Sequence, residues 1–132
     1  MNVKAQPIAL GTVICQRNFE LYTPQGEPRP IVVRLGLPVA TTTDGRLLGE
    51  GEESSGVFRC PVQITGLNID ERVDGIFGED PFVALQYAID FIGYRLDAGL
   101  KDLKLANKQP SPTNPDSRQD SWIWSYPRHR SL

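Results

Sequence analysis

The chain has 132 residues, 39% of them apolar and 23% charged, which is enough for one domain with its own core. No apolar run reaches the length of a membrane-spanning helix, so a membrane partner is not expected. The net charge of −2 is unevenly spread, with ten acidic and three basic side chains in residues 44–90, which disfavours nucleic acid as a ligand because phosphates need a basic footprint.

The first stretch, MNVKAQPIALGTVIC, carries one lysine and an apolar patch broken by Gly11, which makes a poor export signal and predicts a cytoplasmic protein. Residues 8–23 alternate, with Val13, Cys15, Phe19 and Leu21 in one series; Arg17 in that series predicts a bulge or a break into two strands. The turn PQGEP at 24–28 follows, with Gly26 free to take a positive φ. Residues 30–41 then place Ile31, Val33, Leu35, Leu37 and Val39 at period two, as in a half-buried strand. Pro38 has no amide to give a ladder, so that strand ends there or lies at an edge.

TTTDGRLLGEGEESSG, at 41–56, is polar and glycine-rich, with a tight-turn signal at Asp44-Gly45 and a short pairing segment at Arg46–Leu48. Residues 57–65 alternate again, with Phe58, Cys60, Val62 and Ile64 inward and Arg59, Pro61 and Gln63 outward. Pro61 marks this as an edge or bulged strand. A weaker strand is predicted at 71–77. Strands that follow one another through turns predict an antiparallel sheet.

A helix over 80–104 is signalled by Asp80 as N-cap and Pro81 at the first helical position, where no intrahelical donor is lost. Phe82, Leu85, Ile89, Ile92 and Leu96 recur at three and four, extended by Leu100 and Leu103, a stripe long enough to cross a sheet. Gly93 and Gly99 each cost about 1 kcal/mol against alanine unless the helix packs closely there. Residues 106–132 form a second region, a proline- and serine-rich linker and an end, WIWSYPRHRSL, that places Trp122, Trp124 and Tyr126 within eleven residues. That segment either folds back on residues 1–105 or anchors another chain. The fold class expected is therefore α+β, an antiparallel sheet of four to six strands with one long helix on one face.

Candidate chemistry is sparse. The turn with Gly75, Gly78 and Asp80–Pro81 resembles a phosphate-binding helix start, but Pro81 deletes an amide and Glu79 and Asp80 place negative charge where an anion would sit. The turn reads as a structural joint. Cys15 and Cys60 are expected as two buried thiols, with no metal-ligand spacing to each other or to His129. His129, near the C-terminus between two arginines, is a solvated residue rather than a positioned base. The carboxylate neighbours Glu52–Glu53, Asp70–Glu71 and Glu79–Asp80 read as solvated. They would make a metal-dependent enzyme only by converging from separate elements. No catalytic residue, metal or cofactor is expected.

Three stretches, RNFELYTPQGEPRPIVVRLGLPV at 17–39, FRCPVQITGL at 58–67 and GIFGEDPFVALQYAIDFI at 75–92, resemble a family of small uncharacterised bacterial proteins, a domain of unknown function. The resemblance spans about two thirds of the chain, and its motifs are structural. By analogy with small site-free domains encoded beside secreted bacterial toxins, it implies an immunity-protein-like role. The function expected is thus protein binding, with a cognate toxin or effector as partner. The expected contacts are Asp44, Glu50, Glu52 and Glu53 of one loop, Asp70, Glu71, Asp74 and Glu79 of the next turns, and Trp122, Trp124 and Tyr126 of the tail. A homodimeric adaptor held by the tail is the alternative.

Overall fold

The computed structural model describes residues 8–67 and 71–106, so the readings of Asp70, Trp122, Trp124, Tyr126 and His129 lie outside the described residues. Five strands precede one helix: β1 (Val13–Tyr22), β2 (Pro28–Gly36), β3 (Val39–Ala40), β4 (Phe58–Thr65), β5 (Asp74–Gly78) and α1 (Pro81–Asp102). All pairings are antiparallel. β1 pairs with β2, and β2 with β4. β3 continues along the same side of β4, while β5 takes the other side. The architecture is α+β, as the pattern of strands followed by one amphipathic helix predicts.

The β1–β2 hairpin closes at Thr23–Glu27, where Gly26 sits at φ +83° and the Thr23 hydroxyl accepts the Glu27 amide at 3.1 Å. Along β1, Arg17 pairs regularly with Val33; the register shift falls between Val13 and Cys15 instead. The expectation of a break at Arg17 assumed that its face is buried. Yet β1 is exposed over Val13–Asn18, so a guanidinium there costs no desolvation and the strand runs through. For the same reason Cys15 is exposed and only Cys60 is a buried thiol; neither forms a disulfide.

β4 is the second correction. It is a central strand, paired on both sides, although it contains Pro61. The ladder from β2 ends at Leu35↔Val62 and the one from β3 resumes at Val39↔Arg59, one residue out of register. Leu37 and Pro38 lie in that break, which faces Pro61. The donor that Pro61 lacks is missing where the ladder is already interrupted. Gly36 makes room for the ring, since a Cβ there would stand 2.6 Å from Pro61 Cγ.

One face of the sheet, bearing Ile31, Val33, Leu35, Cys60, Val62 and Ile64, forms the core with Leu21, Leu67 and the helix. α1 lies over β4 and β5. The Asp80 carboxylate caps it by accepting the Val83 amide at 2.8 Å, with Pro81 behind it. Its buried residues are Ala84, Ala88, Ile92, Leu96 and Gly99, while Leu85, Ile89, Leu100 and Leu103 are partly buried beside them. Phe82, expected in the stripe, is 83% exposed. The helix start must come close to β5: a Cβ on Gly78 would be 2.3 Å from the Ala84 nitrogen, so small residues face the sheet and Phe82 turns out. Gly99 also fits by close approach, with the Leu67 methyls 3.0 and 3.1 Å from where its Cβ would be. After α1 the chain turns at Lys104 (φ 53°), buries Leu105, and pairs Ala106 with Tyr22.

The opposite face is covered in part by residues 8–12 and by the loop between β3 and β4. Ile8 lies over Gly75, and Leu37 donates its amide to the Thr12 carbonyl at 2.8 Å. No helix among the described residues is long and apolar enough to cross a membrane.

This packing sets a clear contrast. Ile92→Ala, at a fully buried position, lowers unfolding stability by about 2–5 kcal/mol, whereas Phe82→Ala stays within about 0.5 kcal/mol. Gly78→Ala costs about 1–3 kcal/mol by forcing the helix off β5. Urea titrations of the three variants followed by circular dichroism measure all three, and a loss at Phe82 as large as that at Ile92 would mean the helix is rotated from this arrangement.

Candidate functional site

The loop from Thr41 to Val57 is the most organised polar surface of the protein. Its neck is zipped from both sides. Thr41, fully buried, gives its amide and its hydroxyl to the Val57 carbonyl at 3.0 and 2.9 Å and accepts the Ser55 amide and hydroxyl on its own carbonyl. A bridge joins Thr41 to Leu47, which realises the short pairing segment expected at Arg46–Leu48. Thr42 and Gly45 close the tight turn, with the Gly45 amide on the Thr42 carbonyl at 3.0 Å and Gly45 at φ +83°.

Arg46 organises the carboxylates of this loop. Its Nε–H donates to Asp44 at 2.9 Å and its Nη2–H to Glu52 at 3.2 Å. Asp44 also accepts from the Thr42 hydroxyl, and Glu52 accepts the Gly49 amide at 2.9 Å. The Thr42 hydrogen bond, and after it the Arg46 guanidinium, lower the Asp44 carboxyl from the usual 3.8 to about 2. Asp44 and Glu52 therefore serve the loop's shape, and with the single Arg46 they keep a net charge of −1. Glu50 and Glu53, on the same loop, are exposed and make no hydrogen bond or ion pair among the described residues.

The remaining acidic candidates are spread along β4. Glu79 follows β5 at the end where Gly78 pairs with Phe58, the end that the loop also enters. Glu71 lies at the other end, by Gln63 and Gly66, roughly 20 Å away at about 3.3 Å per strand residue, and Asp74, opposite Val62, stands between. Glu71 accepts the Gly66 amide at 2.7 Å and, through its carbonyl, the Gln63 side chain at 2.9 Å, so it closes the turn after β4. Asp74 pairs with Arg72 at 3.2 Å and is half-buried. The acidic candidates thus do not form one patch.

Two features were missed in the sequence reading. Arg59, placed outward by its alternation, is only 7% exposed, because Ile8, Gly75 and the loop close over it. It donates from Nη1 to the Gly45 carbonyl at 3.4 Å, while its buried Nε has no partner among the described residues. Burial pushes its pKa down. The contact ties the loop to the sheet, and only the cover from outside β4 reveals it. Tyr87 and Tyr94, seven apart and 53% and 73% exposed, stand together on the outer side of α1. Their position off the apolar stripe was the available clue.

Cys60 is fully buried on the core face and donates its thiol to the Gly36 carbonyl at 3.4 Å. Burial, with a smaller contribution from Cys15, pushes the thiol up to about 11, far from a reactive thiolate at neutral pH. Among the described residues no group of three or more His, Cys, Asp or Glu side chains is placed to hold a metal ion. No protein family, curated protein or solved structure matches this chain.

The Asp44 environment has a measurable sign. Because the folded-state pKa is depressed, its contribution to loop order is complete above the usual 3.8 and is lost as pH falls toward 2. Thr42→Val raises the Asp44 midpoint toward 3.8 by removing the leading hydrogen bond, and Arg46→Ala also raises it by removing a hydrogen bond and a positive charge. Carboxyl-carbon chemical shifts across an acid titration read both, and an unmoved midpoint in Thr42→Val would refute the assignment.

Proposed function

We propose that the protein is a binding module for another protein, acting as an immunity protein that captures and neutralises a cognate bacterial toxin or effector. The observation that carries this reading is the clamped loop 41–57, in which Arg46 holds Asp44 and Glu52 in place while Glu50 and Glu53 are exposed and unpaired among the described residues. A rigid anionic surface favours association in two ways. Its order is established before binding, so less conformational entropy is lost on contact. Its field accelerates encounter with a basic partner, an effect that salt screens.

The charge excess of residues 44–90, ten acidic against three basic side chains, supports the same sign of partner. A toxin that acts on an anionic substrate needs a basic cleft, and an acidic loop is the complementary cover. Glu79 stands at the same end of the sheet and extends the field. Tyr87 and Tyr94 lie on the outer side of the helix instead and offer a separate aromatic surface.

The test is capture of the product of the adjacent gene by the full chain, followed by association kinetics at two salt concentrations. Glu50→Lys with Glu53→Lys lowers the association rate about tenfold at low salt and by less at high salt. Tyr94→Ala leaves that rate unchanged. Capture that survives the charge reversal at full rate removes the loop from the interface, and loss of capture in Tyr94→Ala alone moves the interface to the helix.

A further inference from the structure

The outer edge of β1 is a long strand edge with a chain already started along it. Tyr22 donates its amide to the Ala106 carbonyl at 2.8 Å and accepts the Ala106 amide at 2.9 Å. This is a closed antiparallel pair on the side of β1 away from β2. Because backbone groups alternate along a strand, Glu20, Asn18 and Gln16 also point their N–H and C=O groups outward. Among the described residues nothing pairs with them.

On the helix side of the sheet the same strand is poorly covered. α1 lies over β4 and β5, and beside it Cys15 is exposed and Phe19 half-buried. A strand added to this edge would therefore gain main-chain hydrogen bonds on one side and apolar contact on one face.

The residues directly after Ala106 do not suit that place. Continuing the antiparallel register sets Lys108 opposite Glu20, Pro110 opposite Asn18 and Pro112 opposite Gln16. Both prolines fall where an amide must be donated. The next run with strand character is Trp122–Tyr126, in which Trp122, Trp124 and Tyr126 share one face at period two. Fifteen residues separate it from Ala106. As a flexible chain they span about 21 Å, and about 47 Å when fully extended in a polyproline conformation. The distance along β1 from Tyr22 to Gln16 is roughly 20 Å. A tether whose length matches its span gives an effective concentration in the millimolar range.

We propose that Trp122–Tyr126 returns to its own domain and pairs with Cys15–Phe19 of β1 as an added edge strand, laying its aromatic face over Phe19 and Cys15. This inference is independent of the acidic loop and stands whether or not the loop binds a toxin.

The composition of the chain makes the test direct. Trp122 and Trp124 are its two tryptophans, so tryptophan emission reports on this segment alone. In the full chain the emission is blue-shifted, and the shift persists on hundredfold dilution. Asn18→Pro, which removes an outward amide and leaves the bonds to β2, moves the emission to that of solvated tryptophan. In a separate measurement that does not depend on the proline variant folding, Trp122→Ala with Trp124→Ala speeds hydrogen exchange at the Gln16, Asn18 and Glu20 amides about tenfold or more. Solvent-like emission in the unmodified chain, or unchanged exchange at those amides, overturns the proposal. A blue shift lost on dilution also overturns it, and places the segment on a second copy instead.

Discussion

Gly78 and Ala84 bring the backbones of β5 and α1 against each other, and the arrangement of the other elements follows from that contact. A side chain on Gly78 would fall 2.3 Å from the Ala84 nitrogen, 2.6 Å from its Cα and 2.8 Å from the Val83 carbonyl carbon. Glycine at the strand end and alanine at the first inward helix position are what allow it. The Asp80 cap and Pro81 start the helix at the same spot, so the turn from strand to helix is short and its direction is set by sterics. The helix then runs for 22 residues, about 33 Å, and its next contacts are forced to be Ala88, Ile92, Leu96 and Gly99.

The consequence for the sheet is asymmetric cover. With its start held on β5 and its line lying over β4, α1 shields one half of the sheet closely and leaves the first half of β1 open. This is why Cys60 is buried while Cys15 is exposed, although both sit on the same face. It is also why Arg17 continues the inward series of β1 without disturbing the ladder. The burial that a period-two pattern implies holds only as far as another layer extends.

The limits of the sequence reading follow from the same geometry. Local chemistry was legible: the Gly26 turn, the Asp80 cap, the tight turn at Asp44-Gly45 and the inward faces of β2 and β4 all depend on neighbours within a few residues. What stayed hidden depends on elements distant in sequence. Pro61 argued for an edge because a central strand needs every amide, and only the break between β2 and β3, more than twenty residues earlier, supplies a gap opposite it. Phe82 fits the apolar period, yet the period does not say how near the sheet stands, and at close range alanine displaces phenylalanine from the inward side. The acidic residues were counted together as one charge excess. In the fold Asp44 and Glu52 share Arg46, Glu71 closes a turn and Asp74 pairs with Arg72, so backbone groups and nearby arginines fix the positions of four of these carboxylates while offsetting only part of the charge. On the loop, Glu50 and Glu53 differ from these in making no hydrogen bond or ion pair among the described residues, a distinction that spacing alone does not make.

The two outer strands of the sheet differ as templates for further pairing. β5 has five residues, with glycine at its second and last positions and an aspartate at its first. A strand so short and so poor in side chains is a weak template for pairing with another chain. β1 has ten residues, contains no proline, and is regular from Cys15 to Tyr22. Its inward-pointing Arg17 discourages a wholly apolar partner strand, but its backbone remains a ready ladder. Left uncovered, that edge is the place where the sheet would grow. The Tyr22–Ala106 pair already closes one end of it with the chain's own backbone, so protection of this edge and the path of the chain after the helix are a single structural problem.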